Sequence, residues 1–228
     1  MNADNPPAKP PPILVCFAVK EEAQSFRLRA GGWPQVRILL TGMGGRNAER
    51  TVRRALSVEK PALVLTSGFA GGLAPDLPAG TVLFDAGGNT ELNAALAAAG
   101  AQPGRFLWSA RVAAAASEKQ ALRLSTGADA VEMESQVIAS LCREIGIPCA
   151  TVRVVLDPVG EDLPLDFNAL MDANMEINYG KLTFAVLKSP GKIAALLRLQ
   201  KASRAAAEKL ATVLVQAIAA ISKPTIRP

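Results

Sequence analysis

The chain has 228 residues, half of them hydrophobic, and its 25 basic and 20 acidic residues give a formal net charge of +5. This length and apolar content favour a single domain with a buried core. Histidine is absent, which excludes Ser-His and Cys-His nucleophilic catalysis and the usual zinc sites, so proton transfer in an enzyme would fall to Asp, Glu, Lys or the one tyrosine.

Apolar runs that fit buried strands alternate with helix-patterned segments along the chain. Strands are predicted at residues 13–19, 36–40, 62–66, 81–85, 105–114 and 149–156. Helices are predicted at residues 20–30, 48–58, 90–99, 135–145 and, after a break at 189–191, at 192–221. This order predicts one α/β domain over residues 13–228, with a mixed, mostly parallel, twisted sheet flanked by helices.

The first twelve residues are polar and proline-rich, and they contain no apolar signal-peptide segment. They are predicted to form a flexible tail. No apolar run approaches the roughly 20 residues that span a bilayer. The three cysteines lie in apolar segments without paired spacing, which is typical of buried thiols in a reduced, cytoplasmic protein.

Basic residues are concentrated in a helical C-terminal segment that begins at about Lys181, where nine Lys or Arg accompany one acidic residue. No aromatic residues are interleaved with them and no known motif is present, so nucleic-acid binding is not predicted. Arg198, Lys201 and Arg204 form a basic stripe on the last helix. One interpretation is a packed helix with a solvated basic face, and the other is contact with an anionic membrane surface.

Two glycine-rich segments follow predicted strands. Residues 42–45 precede a helix whose first N–H groups could hold an anion or a polarised water, with Gly44 and Arg46 as candidate phosphate or water ligands. Residues 68–72 include four small residues that would admit a flat ring against the backbone. Tight turns are the alternative explanation for both segments.

Two acidic clusters lie at predicted strand ends. Glu134 follows a short apolar stretch and opens a helix, while the strand over residues 149–156 ends on Asp157. The order strand, helix, strand predicts two parallel strands, with both acids at the carboxyl edge where open α/β sheets bind ligands. Two such carboxylates can divide acid and base work, although acids at helix starts and strand ends are also common without any function.

Taken in order, these segments resemble the nucleoside phosphorylase/nucleosidase superfamily, particularly the methylthioadenosine/S-adenosylhomocysteine nucleosidases. The resemblance covers roughly residues 13–170, and its matching segments are residues 18–22, 42–44, 67–73, 130–134 and 152–157. The Glu-Met-Glu segment followed by the aspartate is the most specific part. Residues 134–135, 157–158, 163–164 and 189–199 look closer to the hopanoid-associated phosphorylase branch.

The resemblance implies cleavage of a purine N-glycosidic bond without a metal or cofactor. Asp157 would protonate the leaving base, Glu22 would activate the attacking water, and Glu134 would bind the ribose hydroxyls. Met133 would lie beneath the sugar, and Arg153 would orient neighbouring acids. The other implied substrate-binding residues are Glu132, Phe69, Ala70 and Gly71.

The chain also departs from the nucleosidases. Leu156 stands where they carry a small hydroxylated residue before the acid, and the segment between Asp85 and Trp108 is shorter. A protein that binds a nucleoside without turnover is therefore an alternative. Hydrolysis is favoured, because Glu22 would repel phosphate, but phosphorolysis stays open, including on an adenosyl-lipid of the hopanoid kind. The resemblance further implies a homodimer.

Overall fold

The computed structural model describes residues 10–172, 174, 175, 178, 180, 183, 184 and 190–222. Its strands are β1 (Ile13–Phe17), β2 (Val36–Leu40), β3 (Leu63–Gly72), β4 (Val82–Asp85), β5 (Gln102–Pro103), β6 (Phe106–Trp108), β7 (Ala130–Glu132) and β8 (Cys149–Asp157). Its helices are α1 (Lys20–Ala30), α2 (Gly45–Val58), α3 (Thr90–Ala98), α4 (Ala116–Thr126), α5 (Ser135–Glu144), α6 (Phe167–Leu170) and α7 (Ile193–Ile221). A 3₁₀ turn at Pro190–Lys192 leads into α7.

The strands form one eight-stranded sheet in the order β2-β1-β3-β8-β4-β5, with β7 joining β3 to β6. The pairs β1–β2, β1–β3, β3–β8, β4–β5 and β6–β7 are parallel. The pairs β4–β8 and β3–β7 are antiparallel. The prediction of a single α/β domain with a mixed, mostly parallel sheet between helices is confirmed.

Helices cover both faces of this sheet, as in most sheets with parallel strands. The side chains of β1 show this, since they alternate between two hydrophobic cores. Ile13, Val15 and Phe17 belong to a core that includes residues of α1, α3 and α7. Leu14 and Cys16 belong to a second core with residues of α2 and α5. The sheet is therefore the middle layer of three, and its strand ends supply the site.

The second glycine-rich segment is a strand, and its prediction as a loop was wrong. β3 continues through Gly72, paired with β8 on one side and, at its end, with β7 on the other. The register shifts between Ala70 and Gly71, because Leu156 of β8 is an extra residue opposite them and forms a bulge in β8. The predicted strand at residues 105–114 is also shorter than expected, since only Phe106–Trp108 form β6.

The predicted parallel pairing of the two strands that carry the acids was wrong as well. β8 runs parallel to β3, whereas β7 runs antiparallel to the end of β3. Gly71 is the partner of both Val131 and Asp157. The acidic segments therefore meet because both flank the end of β3, and not because they form a parallel pair.

The fully buried residues of helix α7 all lie in its second half. Its buried residues begin at Ala206 and end at Ile218, and none of residues 191–205 is buried. Arg198, Lys201 and Arg204 are all exposed, as predicted for a basic face. Within the described part of the chain, no helix combines the length and apolar character needed to cross a bilayer. The predicted tail falls outside the described residues up to Lys9, as do several basic residues after Lys181.

Candidate active site

A buried arginine organises the acidic residues at the end of β3. Arg153 lies on β8 and is 2% exposed. Its Nη2 donates hydrogen bonds to Glu132 Oε2 at 2.6 Å, to Glu134 Oε2 at 3.2 Å and to Thr66 Oγ1 at 3.2 Å. Its Nε is buried without a hydrogen-bond partner among the described residues. The guanidinium thus holds two carboxylates of the Glu-Met-Glu segment together.

Glu132 has a positioning role. Its carboxylate accepts hydrogen bonds from the N–H of Glu134 at 3.0 Å and of Ser135 at 2.8 Å, and from Ser135 Oγ at 2.6 Å. These donors lie at the N-terminus of α5, where free N–H groups and the helix dipole favour an anion. With its remaining contact to Arg153, Glu132 fixes the turn that carries the next acid.

That next acid, Glu134, connects the first glycine-rich segment of the sequence to this site. It is 5% exposed, and its Oε1 accepts a hydrogen bond from Gly44 N at 2.7 Å. Gly44 has φ = +82°, which only glycine adopts readily, and Met133 borders it. The predicted sugar-binding pair is therefore placed against the loop that precedes α2.

Glu22 enters the cluster from the first turn of α1. Its carboxylate accepts hydrogen bonds from the N–H groups of Ala18 at 2.8 Å, Val19 at 3.2 Å and Phe69 at 2.8 Å. Gly68 lies against it with φ = +146°, and a Cβ there would lie 2.5 Å from Glu22 Oε1 and 2.8 Å from Arg153 Nη1. Glycine at this position is what lets the carboxylate and the guanidinium meet on β3.

The cluster has more negative than positive groups. Glu22, Glu132 and Glu134 all lie within electrostatic range of the one guanidinium of Arg153. Burial raises the pKa of Glu22 to about 7, although Arg153 opposes the rise. Burial likewise raises the pKa of Glu134, with Arg153 opposing it and Glu132 adding to it. This buried, anionic site is suited to a ligand that carries or develops positive charge.

Asp157 ends β8 and is 8% exposed. Lys119, on α4, is fully buried and donates from Nζ to Asp157 Oδ2 at 2.8 Å, to Asp157 O at 3.4 Å and to Pro158 O at 2.6 Å. Burial raises the pKa of Asp157 to about 6 even though the Lys119 ammonium opposes the rise. A carboxyl with such a pKa can hold a proton near neutrality and release it to a base.

The end of β3 forms a wall of small residues beside Asp157. Ala70 is buried, while Phe69 and Gly71 are partly exposed. A Cβ on Gly71 would lie 3.2 Å from Val131 Cγ1 and 3.6 Å from Asp157 Oδ2. Phe69, which donates to Glu22, and Gly71, which borders Asp157, are two positions apart, or about 6–7 Å along a strand. The two acids therefore contact the same end of β3, at positions two residues apart.

The first glycine-rich loop is only partly connected to this cluster. Gly44 joins it through Glu134, whereas Arg46 is exposed on the first turn of α2. A polar cleft beside the loop is lined by Thr41, Gly42, Met43, Asn47, Arg50 and Asn174. The cation at that cleft is thus Arg50 rather than Arg46.

Sequence reasoning missed Lys119. The structure brings together Glu22, Glu132, Glu134 and Arg153, and it places Phe69, Ala70, Gly71, Met133 and Asp157 around them. Lys119 carries no motif, and one lysine in a helix of mixed composition gives no signal of its own. Its role becomes visible only in the structure, where Lys119 is buried and Leu122 and Arg123 on the same face of α4 are partly buried.

Comparisons with known proteins identify the family and the fold of this chain. A family model described as "Phosphorylase superfamily" matches residues 14–84 and 82–188. The futalosine hydrolase of Helicobacter pylori is 16% identical with a TM-score of 0.65, over 90% of this chain and 97% of that one. The 5′-methylthioadenosine/S-adenosylhomocysteine nucleosidase of H. pylori, with butyl-thio-DADMe-Immucillin-A, is 17% identical with a TM-score of 0.65, over 90% and 98%.

A third structure, the S-adenosylhomocysteine nucleosidase of Streptococcus pyogenes with 5-methylthiotubericidin, is 16% identical with a TM-score of 0.63, over 92% of this chain and 98% of that one. At such identities these likenesses establish the fold. The search of curated proteins gave no match.

Proposed function

This chain belongs to the phosphorylase superfamily, and we propose that it hydrolyses the N-glycosidic bond of an adenine-type purine nucleoside. The observation that carries the proposal is the pair of unlike acidic sites at the end of β3. One is the anionic cluster of Glu22, Glu132 and Glu134 around Arg153. The other is Asp157, a buried carboxyl paired with Lys119.

The proposed chemistry assigns one proton transfer to each of the two acids, Asp157 and Glu22. Asp157 gives its proton to a ring nitrogen of the purine as the bond from that base to the sugar C1′ breaks and its electrons pass to the base. Glu22, as a carboxylate, takes a proton from water while the water oxygen bonds to C1′. One water is consumed, and free base and ribose are formed.

Between these steps the sugar passes through a cationic, oxocarbenium-like form. The excess negative charge around Arg153 stabilises that form more than the neutral substrate, which is the differential binding that accelerates a reaction. We expect Glu134 to accept hydrogen bonds from the ribose hydroxyls, with Met133 beneath the sugar. Glu132 and Arg153 hold Glu134 in position.

Two contacts favour water over phosphate as the nucleophile. The Gly44 N–H, which a phosphate would use, donates to the Glu134 carboxylate. Glu22 adds a second negative group beside the proposed nucleophile position, and it would repel an anion. Arg46, the cation predicted for a phosphate site, lies exposed on α2. Phosphorolysis is the alternative that the assay below distinguishes.

The nature of the 5′ substituent is a further proposal, and it depends on α7. The first half of this helix has no buried residue and exposes Ile193, Leu197 and the basic stripe. A surface of this kind suits anionic lipid, where each basic residue contributes on the order of 1 kcal/mol. We propose that the enzyme contacts a cytoplasmic membrane surface and accepts a nucleoside with a lipid 5′ group, such as an adenosyl-hopane.

We also propose that the enzyme is a homodimer. Three apolar side chains on the helices are strongly exposed in the single chain, namely Leu28 on α1, Val58 on α2 and Leu124 on α4. A partner subunit that covered one of these positions would remove apolar area from water. Sedimentation velocity of dilute protein measures this directly, and a monomer at all concentrations would contradict it.

The function is tested by release of free base. Purified protein is incubated with adenosine, methylthioadenosine, futalosine and inosine, each with and without phosphate, beside the Asp157→Asn variant. We expect phosphate-independent release of adenine that the variant loses. Release that requires phosphate would replace hydrolysis by phosphorolysis. No release from any nucleoside, with no thermal shift on ligand addition, would reject the proposal in favour of a non-enzymatic role.

A further inference from the structure

Lys119 makes an unusual set of contacts for a lysine. Its side chain is fully buried in α4, and its ammonium meets three acceptors, namely Asp157 Oδ2, the carbonyl of Asp157 and the carbonyl of Pro158. An ammonium has three N–H donors and no acceptor. The three contacts therefore use its full donor capacity and aim the whole group at the residue that ends β8.

This pairing leaves the two oxygens of the Asp157 carboxyl in different situations. Oδ2 is held by Lys119 at 2.8 Å, and Gly71 lies against it. Lys119 does not bond Oδ1, and the N–H of Asp157 itself also stabilises the carboxylate. Because Asp157 is not completely buried, Oδ1 is the oxygen free to carry a proton to a ligand.

We propose that Lys119 is a positioning residue for the general acid: it fixes Oδ2 of Asp157 and stabilises the carboxylate that forms when Asp157 gives up its proton. This inference rests on the proposed function. When the proton passes from Oδ1 to the purine nitrogen, Asp157 changes from a neutral acid to an anion. Lys119 keeps its own protons throughout, and after the base leaves Glu22 returns a proton to solvent while Asp157 takes one from it.

The physical effect is a preorganised charge. The ammonium is in place before negative charge develops on Asp157, so no reorganisation is needed as the proton moves. Without it, a buried carboxyl would hold its proton more tightly, because burial disfavours the charged form. Two charged groups face Asp157, namely Lys119 from α4 and Glu161 from the segment after β8, which acts in the opposite sense. Lys119 thereby makes Asp157 a stronger acid.

The same contact accounts for the apolar residue before Asp157. Leu156 packs against the core shared by α1, α3 and α7 and offers no hydrogen bond. Orientation of the carboxyl, which a neighbouring hydroxyl would otherwise provide, comes here from Lys119 on a different helix. The residue that positions the acid lies 38 positions away in the sequence.

The test is the pH dependence of base release by Lys119→Met, which removes the charge and keeps the length of the side chain. We expect kcat to fall about 10- to 10³-fold, as for loss of one preorganised donor, with KM changed less because Lys119 contacts only Asp157 and the next carbonyl. We also expect the whole profile of kcat/KM to move to higher pH as the pKa of Asp157 rises, with the acid midpoint moving from about 6 toward about 7 and the alkaline midpoint moving above 7. Glu161→Gln, which removes an exposed charge of opposite sign, is the matched control, and it should keep both limbs of the profile and lower only the acid midpoint slightly.

An unchanged pH profile with a uniform loss of rate would overturn the inference, since a merely structural lysine would act that way. If Lys119→Met does not fold, the ¹⁵Nζ resonance of Lys119 in the wild-type protein decides instead. Its chemical shift should change with pH as Asp157 titrates, and this change should be lost in Asp157→Asn. A chemical shift that does not respond to Asp157 would reject the pairing. If wild-type protein releases no base, the proposed function fails, while the resonance still tests the pair.

Discussion

We expect only a minority of the protein molecules to be catalytically competent at any pH, namely those with Glu22 ionised and Asp157 protonated. Glu22 must be ionised to take a proton from water, yet its pKa is raised to about 7. Asp157 must be protonated to give one to the base, yet its pKa is about 6. At a pH midway between these values, about a quarter of the molecules meet each condition, so about 6% are in the productive form. The profile of kcat/KM should be a bell with midpoints near 6 and 7.

In this site the base, Glu22, has a higher pKa than the acid, Asp157. Single substitutions distinguish this order of pKa values from the opposite order, in which the acid has the higher pKa. In Asp157→Asn the alkaline limb should disappear, and the acid midpoint should rise from about 6 to about 7, because only Glu22 then titrates. In Glu22→Gln the acid limb should disappear and the alkaline midpoint should fall from about 7 to about 6. Turnover should drop about 10²- to 10⁴-fold in Asp157→Asn, the usual contribution of a general acid.

The assay is kcat/KM for base release between about pH 4.5 and 9 at constant ionic strength, with thermal unfolding at each pH to show that the variants are folded. Glu161→Gln, an exposed acid outside the proton-transfer pair, should keep the bell. An acid midpoint that stays near 6 in Asp157→Asn would refute the order of the two pKa values. An alkaline limb that survives in that variant would refute the assignment of Asp157 as the acid.

Three further outcomes follow from the structure. Glu134→Gln should reduce kcat/KM by about 10²-fold through weaker binding of the cationic sugar, measured by the same base-release assay. Gly68→Ala should destabilise the fold by about 2–4 kcal/mol in urea unfolding, because its Cβ would lie 2.5 Å from Glu22 Oε1, and wild-type stability would contradict that geometry. The protein should co-sediment with vesicles that contain anionic lipid and not with neutral vesicles. This binding should weaken as the salt concentration rises. Replacing Arg198 and Lys201 by Gln should weaken that binding by about 2 kcal/mol, or roughly 30-fold, and equal binding by the variant would remove the basis of the membrane proposal.

Much of the fold could be predicted because local pattern and tertiary environment agree in it. β1, β2 and β8 are apolar runs with β-branched residues, and the structure has all three. Helix α5 was expected to begin at Ser135, where it does begin. In these elements, period and propensity indicate the same structure that the core requires.

The errors arose where pairing across the sheet outweighs local preference. Residues 68–72 are mostly glycine and alanine, which are depleted in strands, yet β8 and β7 flank them and extend β3 to Gly72. The relation of β7 to β8 failed for a related reason. A helix between two strands predicts parallel neighbours, but here a third strand lies between them, and sequence order does not reveal it.

The buried pair of Lys119 and Asp157 also bears on whether this protein turns its ligand over. Leu156 in place of a hydroxylated residue, together with the short segment between Asp85 and Trp108, was the reason to consider a protein that binds a nucleoside without cleaving it. Removing an ammonium and a carboxylate from water costs several kcal/mol per ion, and their attraction commonly does no more than offset that cost. Two apolar side chains of similar size would stabilise α4 against β8 at least as well. A protein that only binds a nucleoside would need no positive charge beside Oδ2 of Asp157. An enzyme needs one there when Asp157 gives up its proton and becomes an anion. The Lys119 contact therefore favours catalysis.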